Sequence, residues 1–231
     1  MADTVLSVLS GSWLQILSTM LVAYLLGSIS FSIIITKKVA QNADIRKMGS
    51  GNAGFTNVLR SVGKGPAVFT IVFDFLKGVL AVALGGLIFS TIVQNAAPAE
   101  ELVSYGKYIA GFCCILGHMF PVFYGFKGGK GILCSGTLLL LLDWRIALVG
   151  WGAFVVLWLT TRYVSLGSVA AAVSLPFTTY FVFHNTACTV LGTCISLLVL
   201  WAHRSNIKRL LSGTESKFHF HVNAPKPGED E

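Results

Sequence analysis

Charge is what this sequence has least of. Only 12% of its 231 residues are Asp, Glu, Lys or Arg, against the roughly 25% that a water-facing surface requires of a soluble domain. That shortage excludes an ordinary soluble fold, because much of the surface must then face something other than water. Acids are scarcer still, ten in all, and the sole one at membrane depth is Asp74, three residues from Lys77 and so on the same helix face. A paired-carboxylate mechanism is therefore excluded. A G-x-S-x-G nucleophile elbow is absent. So is H-x-x-x-x-D, since the fifth residues after His118, His184 and His203 are Phe123, Thr189 and Lys208. The N-terminus has no basic n-region, and its first apolar stretch is too long for a cleavable signal. The five cysteines (Cys113, Cys114, Cys134, Cys188 and Cys194) lie in apolar stretches without ligand-like spacing. They read as small apolar core residues, with no metal and no disulfide.

What the sequence has instead is long apolar runs. A bilayer core takes about 20 apolar residues per helix. No charge falls between Thr4 and Thr36, which predicts a first span near 12–36. A second span starts at Pro66, a favourable first-turn residue, and runs to about Val93. The segment 94–101 reads as a short acidic loop, and a third span covers about 103–120. Residues 132–142 are only eleven, about 17 Å of helix, too short for a core of about 30 Å. The next span runs from Trp144 to Thr161. The 41 residues from Tyr163 to His203 carry no charge and make two helices turning near His184 and Asn185. The expected fold is an all-α polytopic membrane bundle with seven transmembrane helices, or five if 132–161 is re-entrant. It forms one domain over 1–217, followed by a polar tail, 218–231, read as disordered.

The basic residues give an orientation. Those in 37–64, in 127–130, at Arg162 and after His203 fall on one side, 14 of 17 in all. Positive residues stay inside, so the N-terminus is expected outside, and the C-terminus and all four basic segments in the cytoplasm.

Those segments carry the polar chemistry. The first, DIRKMGSGNAGFTNVLRSVGKG (44–65), contains GSGNAG. This matches the dinucleotide fingerprint only formally, because a membrane helix stands where a strand is needed. Its glycines still let backbone N–H groups approach an anion. Ser50, Asn52, Thr56 and Asn57 add neutral donors, and Arg60 adds a planar fork suited to phosphate. The second, GHMFPVFYGFKGGKG (117–131), is another phosphate-cradle composition at Gly128, Gly129 and Lys130. It is not a Walker A, since Tyr124 and Gly131 stand where Gly and Ser/Thr are required. The third, RYVSLGS (162–168), opens a helix with Ser165 and Ser168. The fourth, WAHRSNIKRLLSG (201–213), puts His203 and Asn206 on one polar edge. Taken alone, His118 and His203 each read as structural histidines. Two cationic Gly-rich loops and a His/Asn pair on one face suggest two phosphate groups, or one large phosphorylated ligand.

Taken together and in order, GSGNAGFTNVLR, GHMFPVFYGFKGGKG, RYVSLGS and HRSNIKRLLSG resemble the bacterial acyl-phosphate:glycerol-3-phosphate acyltransferases, the PlsY family. The resemblance covers about residues 23–217. It implies a seven-helix bundle in the bacterial plasma membrane with a cytoplasmic active site and no cofactor or metal. It also implies transfer of a fatty acyl group from acyl phosphate to the 1-hydroxyl of glycerol 3-phosphate, giving lysophosphatidic acid and phosphate at the start of phospholipid synthesis. By motif, Ser50, Thr56, Asn57, Gly128 and Gly129 are expected to bind the acyl-phosphate head. Arg60, Lys130, Ser168, His203 and Asn206 are expected on glycerol 3-phosphate. Ser50, Arg60, Lys130, His203 and Asn206 would form the catalytic set. Partners are then the two substrates and membrane lipids, with no nucleic acid, and the unit is a monomer. The chain departs from relatives at GSISFS (27–32), where many have Pro and Gly, and at Cys134, where a hydroxyl is common. The competing reading is an organophosphate transporter or channel, which predicts inverted repeats and polar groups near the midplane. The sequence has no internal repeat, and its charges gather at one face.

Overall fold

The computed structural model describes residues 11–92 and 99–218. Residues 219–231, where the disordered tail is expected, lie outside that range, as does most of the loop 94–101. All the regular secondary structure among the described residues is helical. The first apolar run forms α1 (Trp13–Ser28) and α2 (Phe31–Val39), with the break at Ile29 and Ser30. A short helix α3 (Phe55–Ser61) leads into α4 (Lys64–Ser90). Then follow α5 (Ala99–Met119), α6 (Ile132–Leu142), α7 (Trp144–Thr161), α8 (Val164–Phe183), α9 (Thr186–Ala202) and α10 (Arg204–Leu211). Glu100 and Glu101, expected in a loop, form the first turn of α5, where acids favourably face the positive end of the helix dipole.

Among the described residues five helical segments are long and apolar enough to cross a membrane, the α1–α2 pair counting as one. There are six if α9 and α10, bent by 62°, are taken together. The segment on which the counts of seven and five differed is a separate 11-residue helix, α6. The 18 residues of α7 after it are long enough to cross. Outward-facing positions are apolar: Leu14, Phe69, Leu87, Leu148, Phe181 and Leu197 are exposed. In water such a belt would be an aggregation surface; in a bilayer it is the solvated face.

Helices in lipid associate by close packing rather than by hydrophobic exclusion. α5 is the central element, in contact with α1, α4, α6 and α9. It approaches α4 closely, glycine against glycine. A Cβ on Gly106 would lie 2.4 Å from the Gly85 carbonyl oxygen, and one on Gly85 2.6 Å from that of Gly106. Any larger residue at either position forces the two backbones apart. α7 packs on α8, and α8 on α9, which leaves a gap between these helices and the α4–α6 group. Polar loops close that gap at one end. The packing also takes in Phe218, one residue past the expected domain boundary. It is buried, rests edge-on against Trp158 and donates its N–H to the Arg162 carbonyl at 2.8 Å.

Candidate active site

The four polar segments converge on one cavity of about 980 Å³. All ten residues anticipated from the sequence line it: Ser50, Thr56, Asn57, Arg60, Gly128, Gly129, Lys130, Ser168, His203 and Asn206. What each does there differs in part from the expectation.

The first loop is organised by two side chains. Asp44 caps the turn at Ile45–Lys47 and binds Arg46 through both oxygens, with the shortest contact 2.7 Å. The guanidinium lowers the Asp44 pKa to about 2. Arg46 also reaches the Tyr124 carbonyl at 2.5 Å, tying the first loop to the second. Asn57, anticipated as a direct ligand, is 2% exposed with its amide committed to the loop. Its Nδ2 donates to the carbonyls of Ile45 (3.1 Å) and Met48 (2.9 Å). Its Oδ1 accepts from the Ser50 N–H (3.0 Å) and the Ser61 hydroxyl (3.4 Å). An amide has two donor hydrogens and two acceptor lone pairs, so Asn57 shapes the loop that presents Ser50 and has no hydrogen-bonding position left for a substrate.

The second loop also differs from the arrangement its composition suggests. Gly128 and Gly129 were expected to turn their N–H groups toward an anion. Those groups instead donate back to the end of α5, Gly128 to the Met119 carbonyl at 3.0 Å and Gly129 to the His118 carbonyl at 3.1 Å. The glycines are needed for proximity. A Cβ on Gly128 would lie 2.0 Å from the His118 carbonyl oxygen, and one on Gly129 2.3 Å from His118 Nε2 and 2.4 Å from the Ala53 carbonyl oxygen. Their close seating sends Lys130 toward α10, where its ammonium binds Asn206 Oδ1.

The far wall comes from α8, α9 and α10. His203 is buried and its Nδ1 is 2.8 Å from the Val199 carbonyl. A carbonyl only accepts, so the proton sits on Nδ1, leaving the Nε2 lone pair as an acceptor. The Ser168 hydroxyl donates to the Val164 carbonyl of its own helix at 2.9 Å. Glu215, which the sequence reading overlooked, joins the wall together. One oxygen accepts from Ser165 and from Asn206 Nδ2, each at 2.7 Å, and the other accepts from Arg209 at 2.6 Å. Arg209 was overlooked too. The available signal was a lone acid within an otherwise basic segment, with Arg209 six residues before it.

Arg60, Lys130 and Arg209 thus face one cavity, which Lys127 and Arg204 also line, with Glu215 among these cations and Asp74 as the second acid of the lining. Burial, reinforced by Arg209 and Arg60, lowers the Lys130 pKa to about 8, although Glu215 opposes the shift. A cation held this way gains stability when an anion arrives. Away from these groups the lining is mostly apolar, running past Phe75, Leu133, Leu139, Trp151, Phe154 and Leu175. Its volume lies at the upper end of the about 300–1,000 Å³ usual for ligand pockets.

A membrane bundle whose cation-rich mouth opens into an apolar lane is built for an amphipathic phosphorylated molecule. The profile of the glycerol-3-phosphate acyltransferase family matches residues 17–213, and the chain belongs to that family. It is 40% identical over 213 residues to the glycerol-3-phosphate acyltransferase of a Nostoc species, covering 90% of this chain and 94% of that one. With that of Halalkalibacterium halodurans the identity is 41%, covering 89% and 94%. Among solved structures it is similar to crystal structures of PlsY, an integral membrane glycerol 3-phosphate acyltransferase. The glycerol 3-phosphate form gives a TM-score of 0.77 at 34% identity, covering 88% of this chain and 96% of that one. The lysophosphatidic acid form gives 0.75.

Proposed function

We propose that this protein transfers a fatty acyl group from acyl phosphate to the 1-hydroxyl of glycerol 3-phosphate, at the cytoplasmic face of a bacterial plasma membrane. The observation that carries this reading is the continuity of the cationic mouth with the apolar lane. One cavity can hold two phosphates side by side and still shelter an acyl chain. The basic side of the bundle supports a cytoplasmic mouth. That one chain supplies the whole lining supports action as a monomer.

The chemistry asks little of the protein beyond placement and charge. An acyl phosphate is already activated. The glycerol hydroxyl oxygen attacks the acyl carbonyl carbon, the bond from that carbon to the bridging phosphate oxygen breaks, and phosphate departs with the electron pair. The hydroxyl proton ends on the phosphate product. Arg60, Lys130 and Arg209 hold the two anions against their mutual repulsion. Ser50 and Thr56 give hydroxyls to the donor's head. His203 Nε2 accepts the hydrogen bond of the attacking hydroxyl and so orients its oxygen, while Asn206 fixes Lys130.

The test is to incubate detergent-purified protein with palmitoyl phosphate and glycerol 3-phosphate and measure released phosphate and lysophosphatidic acid. Glycerol-3-phosphate-dependent release is expected. Folded protein without turnover would sink the reading. Turnover with a thioester donor alone would keep the acyltransferase and reject the acyl-phosphate donor.

A further inference from the structure

Three ionisable side chains lie buried behind the second loop, outside the machinery described so far. Asp74 is 1%, Lys77 4% and His118 5% exposed. Such groups within a membrane bundle are expensive and call for a reason. Part of the reason is local. The break between α1 and α2 frees backbone carbonyls, and the Lys77 ammonium binds those of Gly27 (3.1 Å) and Ile29 (2.6 Å). Asp74 Oδ1, at 2.8 Å, balances its charge.

His118 is not explained that way. Its Nδ1 lies 3.0 Å from Lys77 Nζ. An ammonium donates and cannot accept, so Nδ1 must be the acceptor and the ring proton must sit on Nε2. That nitrogen lies against Gly129, where a Cβ would be 2.3 Å away. His118 lines the cavity, and no acceptor among the described residues meets Nε2. Beside it, the N–H groups of Gly128 and Gly129 are already given to carbonyls of α5. The loop whose composition promises anion donors therefore presents none from these two glycines.

We infer that His118 supplies the missing donor: its Nε2–H binds the phosphate seated at the Gly128–Lys130 loop, with Lys77 and Asp74 as positioning residues that hold the ring in that tautomer. The inference rests on the reading of this mouth as a phosphate site. His203 presents the opposite valence, its Nδ1 proton given to Val199 and its Nε2 open as an acceptor. The two histidines divide the work, one holding the departing anion and the other receiving the hydroxyl.

The experiment uses the full chain in detergent with ¹⁵N-labelled histidine and inorganic phosphate as the probe. The His118 ring signals are identified by their loss in H118Q. They should show a bare Nδ1 and a protonated Nε2, and the Nε2–H signal should move on phosphate addition. By calorimetry, phosphate affinity should fall about tenfold in H118F, which loses a charge-assisted hydrogen bond. It should fall no more than about threefold in H118Q, whose amide can accept from Lys77 and still donate to the anion. An Nδ1–H tautomer, an Nε2–H signal unmoved at saturating phosphate, or wild-type affinity in folded H118F overturns the inference and leaves the proposed function standing. Should H118F fail to fold, the wild-type spectra decide alone. If the wild type binds no phosphate, the phosphate-site reading falls with it.

Discussion

The bundle has two polar ends, and they handle charge in opposite ways. At the end formed by the start of α5, the α6–α7 junction and the α8–α9 turn, Glu101, Lys107, Asp143 and Arg145 each have a nearby partner. Asp143 caps α7 and binds Arg145 at 2.9 Å. Glu101 binds Tyr105 and Asn185, and Asn185 in turn caps α9. Lys107 donates to the Leu141 carbonyl at 2.7 Å. These contacts satisfy helix ends and gather no cluster of one sign around a cavity. At the other end Arg60, Lys130 and Arg209 gather around a cavity with Glu215 between them, and one histidine is set to donate while another accepts. A surplus of one sign, maintained at the cost of burying a lysine, is what distinguishes a binding mouth from a tidy helix terminus.

The contrast can be broken hardest at Lys130. Lys130→Ala removes a largely buried cation, and kcat/KM should fall by about 10²–10³, the range for losing one preorganised donor to a developing charge. Phosphate release reads it, and unchanged turnover in folded protein would remove Lys130 from the site. Next is Glu215→Ala, which strands Asn206 Nδ2 and Arg209 and should cost about 1–3 kcal/mol. A lower thermal midpoint in detergent, together with reduced activity, is the expected outcome. A third effect depends on pH. Lys130 is charged below about 8 and neutral above it, so KM for glycerol 3-phosphate should rise as pH climbs through that value. In Lys130→Arg the rise should vanish, because arginine stays protonated. The smallest effect belongs to the paired end. Arg145→Ala breaks a solvent-screened bridge that contributes little, and specific activity should not change. If it falls as far as Lys130→Ala, the two ends are not functionally distinct.

Much of this was legible from the chain itself. Charge-free runs marked the spans to within a few residues, because hydrocarbon admits little else. Arg60, Lys130, His203 and Asn206 stood out by residue type, and the fold brings all four to one cavity. What the sequence did not reveal was valence. Asn57 looks like a ligand until its four hydrogen-bonding positions are traced to Ile45, Met48, Ser50 and Ser61. Gly128 and Gly129 have a cradle's composition but donate to the carbonyls behind them. His118 reads as structural until Lys77, 41 residues away, dictates its tautomer. Glu215 resembles a solvated acid in a basic tail, and only the fold brings it to Ser165, 50 residues earlier. For His118 and Glu215 the deciding partner lies 41 and 50 residues away, and for Asn57 and the two glycines it is reached through irregular loop backbone, so residue spacing carries no record of it.

Glu215 comes after every helix among the described residues, yet it is what joins α8 to α10 around the mouth. During synthesis the bundle can therefore insert and pack while its chemistry is still unfinished. Ser50 and Arg60 must wait for some 150 residues of chain before the opposite wall exists. A product broken off shortly before Glu215 would keep its membrane helices and lack the tie that closes the reaction chamber. A bilayer filled with such fragments would gain protein whose acyl transfer is weakened, as expected of Glu215→Ala.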